Sequence, residues 1–276
     1  MAFFTRGNAR IYFEEQGRGE PVIAVHGLIE NTRYWKPVTD IISGRCRFIA
    51  MDMRGHGNTS VEGEPQGFDV QTVGEDIIAL ADNLGLERFH LLAHSTGGFA
   101  AVRYAMKDCS RFKSLILTNT GSATSPVPGD PETVRKFHHR LASTFEKYDW
   151  KRIIAGLKVN PGPFFRGIME SDASEELMAR SLEMVRIGDR NVIASFVRSF
   201  YTDPDPCVEG LRKITCPVLV IYGEKDDLFI ESSRLMAREI PGARIIEYKG
   251  VGHMSALEAP GLLAGDLMAF VAAHAA

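Results

Sequence analysis

Six short apolar runs constrain this chain more than any other feature of its sequence. They are Pro21 to Val25 (PVIAV), Arg47 to Asp52 (RFIAMD), Phe89 to Ala93 (FHLLA), Ser114 to Asn119 (SLILTN), Pro217 to Gly223 (PVLVIYG) and Arg244 to Tyr248 (RIIEY). None alternates apolar with polar residues, so each must be covered on both faces. That is the mark of a mainly parallel sheet with helices on both sides, an α/β fold. The segments between the runs carry helix patterns to match. Asp69 suits an N-cap, and Val73, Ile77, Leu80 and Leu84 recur at helical spacing before Gly85 closes the segment. Pro260 suits the first turn of a C-terminal helix striped by Leu263, Leu267 and Phe270. The stretch FFTRGNARIYFEEQG reads as two strands around a Gly7-Asn8 turn, an antiparallel hairpin at the sheet edge.

This rhythm breaks between residues 122 and 209. The stretch opens with the turn-rich SATSPVPGDP, closes with TDPDP and shows no strand pattern. Between them lie helical stretches with Phe137, Leu141, Phe145, Trp150, Phe164, Phe165, Met169, Met178, Met184, Phe196 and Phe200. The expected organisation is an α/β core from 1–121 and 210–276, interrupted by a helical insertion, 122–209, whose large apolar residues form its own core.

Composition narrows the partners. Of 276 residues 45% are hydrophobic and 24% charged, as in a soluble globular protein. The formal net charge is −3, and no segment concentrates Lys and Arg, which argues against nucleic acid and anionic membrane. The N-terminal MAFFTRGNAR is too short in apolar residues for a signal peptide, and no run approaches a membrane span. Cys46, Cys109, Cys207 and Cys216 are scattered and are expected as reduced thiols, so a cytoplasmic location is expected. No metal-ligand cluster, phosphate loop or dinucleotide fingerprint stands out. His138 and His139 are adjacent and point apart on a helix. The expectation is a small-molecule substrate and no cofactor.

The chemistry is carried at the ends of the runs. FHLLAHSTGG places Ser95 between a buried strand and a helix, with Gly97 and Gly98 permitting a tight elbow. Such a turn lifts the hydroxyl above the sheet's C-terminal edge and aims helical N–H groups beside it. The usual elbow pattern has glycine where this chain has Ala93, the smallest possible increment. A serine needs a base. His253, flanked by Gly250 and Gly252 in YKGVGHMSALEAP, follows the last strand and reaches the same edge. The base needs an orienting acid. IYGEKDDLF supplies Asp226, with Asp227 as the competitor. His26 reads as structural, holding a loop, and His94, at the elbow's free position, as packing beside the site. Asp52, Arg54 and His56 read as hydrogen-bonding within a turn. Arg166, Arg186, Arg190 and Arg198 are candidates to clamp a substrate carboxylate, although solvated helix faces suit most of them.

Together HGL (26–28), DMRGHGNTS (52–60), AHSTGG (93–98), GEKD (223–226) and GHMSALEAP (252–260), in this order, resemble the α/β-hydrolase superfamily in its serine-nucleophile branch. The likeness covers nearly the whole chain outside the insertion. It implies the order Ser95, Asp226, His253 for nucleophile, acid and base. It further implies oxyanion-hole N–H groups from Leu28 and Thr96, and a cap role for 122–209. Haloalkane dehalogenases and epoxide hydrolases of this fold carry Asp at the nucleophile position, unlike this chain. Members that place the acid after an earlier strand would need a carboxylate where this chain has Asn119 and Thr120. The activity implied is that of a capped serine esterase or lactonase acting on a small, largely apolar substrate through an acyl-enzyme. Alternatives within the fold are a C–C bond hydrolase, whose HGSGPG pattern is absent from HGLIEN, a cofactor-free haloperoxidase or perhydrolase, and a cofactor-free dioxygenase, which more often has His where this chain has Thr96. Outside enzymology the alternative is a ligand-binding receptor on a hydrolase scaffold.

Overall fold

The computed structural model describes residues 2–42, 44–64, 69–121, 131–200 and 208–275. The strands are β1 (Ala2–Arg6), β2 (Ala9–Gln16), β3 (Pro21–Val25), β4 (Arg47–Met51), β5 (Ser60–Val61), β6 (Phe89–His94), β7 (Phe112–Thr118), β8 (Val218–Gly223) and β9 (Arg244–Tyr248). They form one sheet in the order β1-β2-β4-β3-β6-β7-β8-β9, with β5 paired to β2. The β1–β2 hairpin is antiparallel and lies at the edge, as expected from its Gly7-Asn8 turn, and β2 meets β4 antiparallel. From β4 to β9 every pairing is parallel.

Residues of the parallel strands alternate between two separate cores. Ile23, Ile49, Leu91, Leu115 and Val220 enter one, while Val22, Phe48, Leu92, Ile116 and Leu219 enter the other. Both faces of these five strands are therefore dry, which is why their runs are apolar without alternation. The sixth run departs from the expectation: β9 is an edge strand, and its Ile245 is 42% exposed rather than covered on both faces. The helices are α1 (Lys36–Ile42), α2 (Val70–Asn83), α3 (Ser95–Ala105), α4 (Pro131–Lys147), α5 (Trp150–Val159), α6 (Arg166–Met169), α7 (Ser174–Val185), α8 (Arg190–Phe200), α9 (Val208–Leu211), α10 (Ile230–Glu239), α11 (Ser255–Glu258) and α12 (Pro260–Ala273). Asp69 caps α2, its side chain accepting the Thr72 N–H. Leu263, Leu267 and Phe270 of α12 are buried against the second core.

Helices α4 to α8 lie between β7 and β8, and residues 131–200 contain no strand. Ala142, Phe145, Ile153, Val185, Ile193, Ala194 and Val197 form a third core there. Phe165 and Met184 join the second core and Phe196 the first, so the insertion is rooted in the sheet domain. Phe137 and Met169 depart from the expected stripe and are exposed at 46% and 54%. A backbone seam adds to the joint: Gly57 N–H donates to Ile187 O at 3.2 Å, and Asp189 N–H to Gly55 O at 2.8 Å. The turn-rich ends SATSPVPGDP (all but its last residue) and TDPDP, Cys207 and the Phe200 side chain lie outside the described residues. Cys46, Cys109 and Cys216 are free thiols. Among the described residues no helix is long and apolar enough to cross a membrane, and no three His, Cys, Asp or Glu side chains converge as metal ligands.

Candidate active site

β3 and β6 are neighbours, yet the connection out of β3 runs to β4 on its other side. Their C-terminal ends thus open a crevice where the chain direction across the sheet reverses. Ser95 stands at this point. His94 is still extended (φ −109°, ψ 139°), Ser95 turns to φ 48°, and α3 begins at once. A non-glycine residue at positive φ costs about 1–3 kcal/mol and persists only where its surroundings enforce it. Here Thr120 Oγ1 donates to the Ser95 carbonyl at 2.5 Å, and Gly97 N–H donates to His26 O at 3.2 Å. The glycines are required by contact: a Cβ at Gly97 would lie 2.6 Å from His26 O, and one at Gly98 2.4 Å from Thr120 Oγ1. Ala93 is an ordinary fully buried strand residue, paired with Val25 and Leu117, and its methyl fits the first core.

The structure brings Ser95, His253 and Asp226 into one hydrogen-bonded series. His253 Nε2 lies 3.1 Å from Ser95 Oγ, and His253 Nδ1 lies 2.9 Å from Asp226 Oδ2. The carboxylate can only accept from Nδ1–H, which leaves Nε2 free to accept the serine proton. Of the two candidate acids, Asp226 is 1% exposed, whereas the Asp227 side chain is 63% exposed and pairs with Arg166. Burial alone would lower the His253 imidazole, but the facing Asp226 carboxylate outweighs it and holds the group above its ordinary value. The ring is enclosed by Phe229, stacked at 5.3 Å, and by Phe164 of the insertion, edge-on at 4.9 Å.

Three residues at the site carry no signal in the motif reading. Asn119, itself at φ 49°, donates its amide to Asp226 Oδ2 at 3.1 Å and to Gly252 O at 2.9 Å. It occupies the place where some members of this fold carry the acid, and here it holds the Asp226 carboxylate. Glu258 accepts the N–H groups on either side of His253: Gly252 at 2.7 Å and Met254 at 2.9 Å. Burial raises its carboxyl above the ordinary range. Glu30 is buried behind Ser95 at 4% exposure. Only spacing within GHMSALEAP and HGLIEN hints at the two glutamates, and neither spacing is itself a motif.

His26 holds the loop after β3. Its Nε2 accepts Met53 N–H at 3.1 Å, so Nδ1 carries the proton and donates to Gly27 O at 2.7 Å. Burial pushes this imidazole down to about 4. Leu28 and Ile29 of the same loop pack against the insertion's core, and Thr96 is the first residue after the elbow serine. Arg54 reaches beyond its turn to Asp76 of α2 at 2.8 Å, while Asp52 accepts Thr32 N–H and Asn58 N–H, each at 2.7 Å. Three of the four arginines considered as clamps are engaged elsewhere. Arg166 pairs with Asp227 and Glu170, Arg198 with Glu146, and Arg190 donates to the carbonyls of Phe145 and Tyr148; Arg186 is exposed. His138 is buried and His139 exposed, pointing apart as expected.

A largely parallel, doubly covered sheet with a serine elbow and a histidine loop at its C-terminal edge is the plan of an α/β hydrolase. The chain belongs to that family: the model of the alpha/beta hydrolase fold matches residues 20–260. It is 29% identical over 270 residues to a non-heme chloroperoxidase of Kitasatospora aureofaciens, covering 90% of each chain. Its structure is similar to the enol-lactonase from Burkholderia xenovorans LB400, with TM-score 0.82 and 22% identity over 98% of this chain and 100% of the other. It is likewise similar to a thermophilic esterase from Thermogutta terrifontis, with TM-score 0.78 and 24% identity over 96% and 94%. At these identities the two structural likenesses speak for the fold.

Proposed function

We propose that this protein is a serine hydrolase cleaving a carboxylic ester or lactone of a small, largely apolar substrate. The observation that carries the reading is the Ser95–His253–Asp226 series on a strained elbow. Ser95 Oγ attacks the carbonyl as His253 Nε2 takes its proton, with Asp226 holding the tautomer and stabilising the imidazolium. The N–H groups of Leu28 and Thr96 receive the oxyanion. His253 then protonates the leaving alcohol and activates water to release the acyl group. Residues 122–209 act as the cap over a core of 1–121 and 210–276. The contacts of Phe164 with His253, and of Leu28 and Ile29 with the insertion's core, support that role.

The test is hydrolysis of a panel of p-nitrophenyl esters and lactones by the wild type and Ser95→Ala. Loss of the hydroxyl is expected to lower kcat/KM by about 10⁴ or more. Equal activity in the two proteins would sink the proposal. The likeness to a chloroperoxidase favours one further reaction, in which hydrogen peroxide replaces water as acceptor of the acyl group. Peroxide-dependent bromination that disappears in Ser95→Ala is its signature.

A further inference from the structure

A second histidine–carboxylate pair, unused in the mechanism above, lies behind the reacting hydroxyl. His94 is fully buried and Glu30 nearly so. His94 Nδ1 lies 3.1 Å from the Thr118 carbonyl oxygen, and its Nε2 lies 3.4 Å from Glu30 Oε1. The Thr118 hydroxyl also lies 3.3 Å from Nδ1, and Nε2 faces the Glu30 carboxylate. Burial alone would raise the Glu30 carboxyl, yet the neighbouring His94 keeps it below its ordinary value. Tyr34 stacks on the His94 ring at 4.5 Å and 21°, which fixes the plane of that ring.

The other oxygen of Glu30 reaches a different segment. Oε2 accepts the Gly27 N–H at 2.7 Å. One carboxylate therefore ties the residue before the elbow serine to the loop that follows β3. The two segments are pressed together. A Cβ at Gly27 would meet Ser95 Cβ at 2.9 Å, Glu30 Oε2 at 3.0 Å and His94 Cδ2 at 3.1 Å. Leu28 is the next residue after Gly27, and Thr96 lies two residues after His94.

We propose that Glu30 is a positioning residue that sets the gap between the elbow and the Gly27–Leu28 loop, and with it the spacing of the two N–H groups that receive the oxyanion. This rests on the serine-hydrolase reading. Oxyanion donors act only when held about 2.7–3.1 Å from where the charge develops. A small change in the gap therefore acts on the transition state more than on the bound substrate. Glutamine at position 30 can keep both contacts, its carbonyl accepting Gly27 N–H and its amide donating to a neutral His94 Nε2. Alanine keeps neither.

The experiment compares Glu30→Ala and Glu30→Gln with the wild type on one p-nitrophenyl ester. Active sites are counted by a fluorophosphonate that labels serine, and folding is checked by thermal melting. Glu30→Ala is expected to lower kcat about 100-fold per titrated site, in line with the loss of an oxyanion donor. KM stays within roughly threefold, and Glu30→Gln regains about tenfold or more of the lost kcat. If the alanine variant does not melt cooperatively, Glu30→Met, which fills the space without an acceptor, is judged by the same criteria. The proposal is overturned if kcat per site stays within about threefold of wild type, if glutamine is as damaging as alanine, or if the loss lies in KM alone. Activity that survives Ser95→Ala defeats the hydrolase reading itself. Ser95-dependent activity indifferent to Glu30→Ala defeats this inference alone.

Discussion

The sheet's C-terminal edge and the helical insertion meet at the site, but they are held by different forces. At the edge the candidate catalytic groups are fixed by directional contacts. Asn119 grips Asp226, Thr120 grips the Ser95 carbonyl, and Glu258 grips the backbone on both sides of His253. Beyond its short backbone seam with Gly55 and Gly57, the insertion is held mainly by apolar packing around Phe145, Ile193 and Val197 and by exposed pairs such as Arg180–Glu176 and Arg198–Glu146. Hydrogen bonds weaken steeply with angle, so the edge tolerates little displacement. Apolar packing tolerates exchange when volume is kept. The sheet edge is therefore the rigid half of the candidate site, and the insertion is the half freer to change.

The largest expected contrast lies between two adjacent acids. Asp226→Asn is expected to lower kcat by about 10⁴, because the amide no longer holds the productive tautomer. Asp227→Asn, which loses only an exposed pair with Arg166, is expected to stay within roughly threefold. Steady-state kinetics on both variants decide it, and similar losses in the two would mean that burial does not mark the acid.

Stability separates the two regions next. Phe145→Ala empties the insertion's core and is expected to cost about 3–5 kcal/mol by urea unfolding. The loss of kcat on a small acetate ester should remain far below that of Asp226→Asn. Gly98→Ala drives a methyl into Thr120 and is expected to cost about 1–3 kcal/mol and to lower kcat as well. Full kcat in that variant would show the elbow to be looser than its contacts suggest.

The smallest effect is a displacement in pH. The His253 imidazole is held above its ordinary value and must be neutral to act, so kcat/KM should rise through a midpoint above about 6.5. Stability runs the other way for this group: its contribution is complete below the unfolded value and is lost as pH rises through the folded one. His26, held near 4, has the opposite sense, and its contribution is lost as pH falls from about 6.5 towards 4. A pH series of melting temperatures beside the rate profile checks both slopes.

The parallel strands were legible because two-sided burial leaves an unbroken apolar run. β7 begins two residues earlier than its run, at Phe112, since the half-buried Lys113 interrupts the pattern while pairing with Glu20. β5 is two residues long, too short for any periodicity to register. At the site, Ser95 and His253 are placed by glycines that the backbone requires. The choice between Asp226 and Asp227 was open in the sequence because adjacent acids differ only in which way they point. Asn119, Glu258 and Glu30 were not legible, since each works through contacts with residues distant in the chain or through backbone N–H groups that no side-chain motif records.

The hydrogen bond from Ser95 to His253 joins residues 158 positions apart. At 5–20 residues per second, a ribosome needs roughly 8 to 32 s to travel between the two codons. Ser95 and its elbow are therefore made well before His253, the base that the proposed mechanism requires. On the proposed mechanism, hydrolysis would begin only once the loop after β9 docks beside the elbow, so the onset of activity would report completion of the sheet.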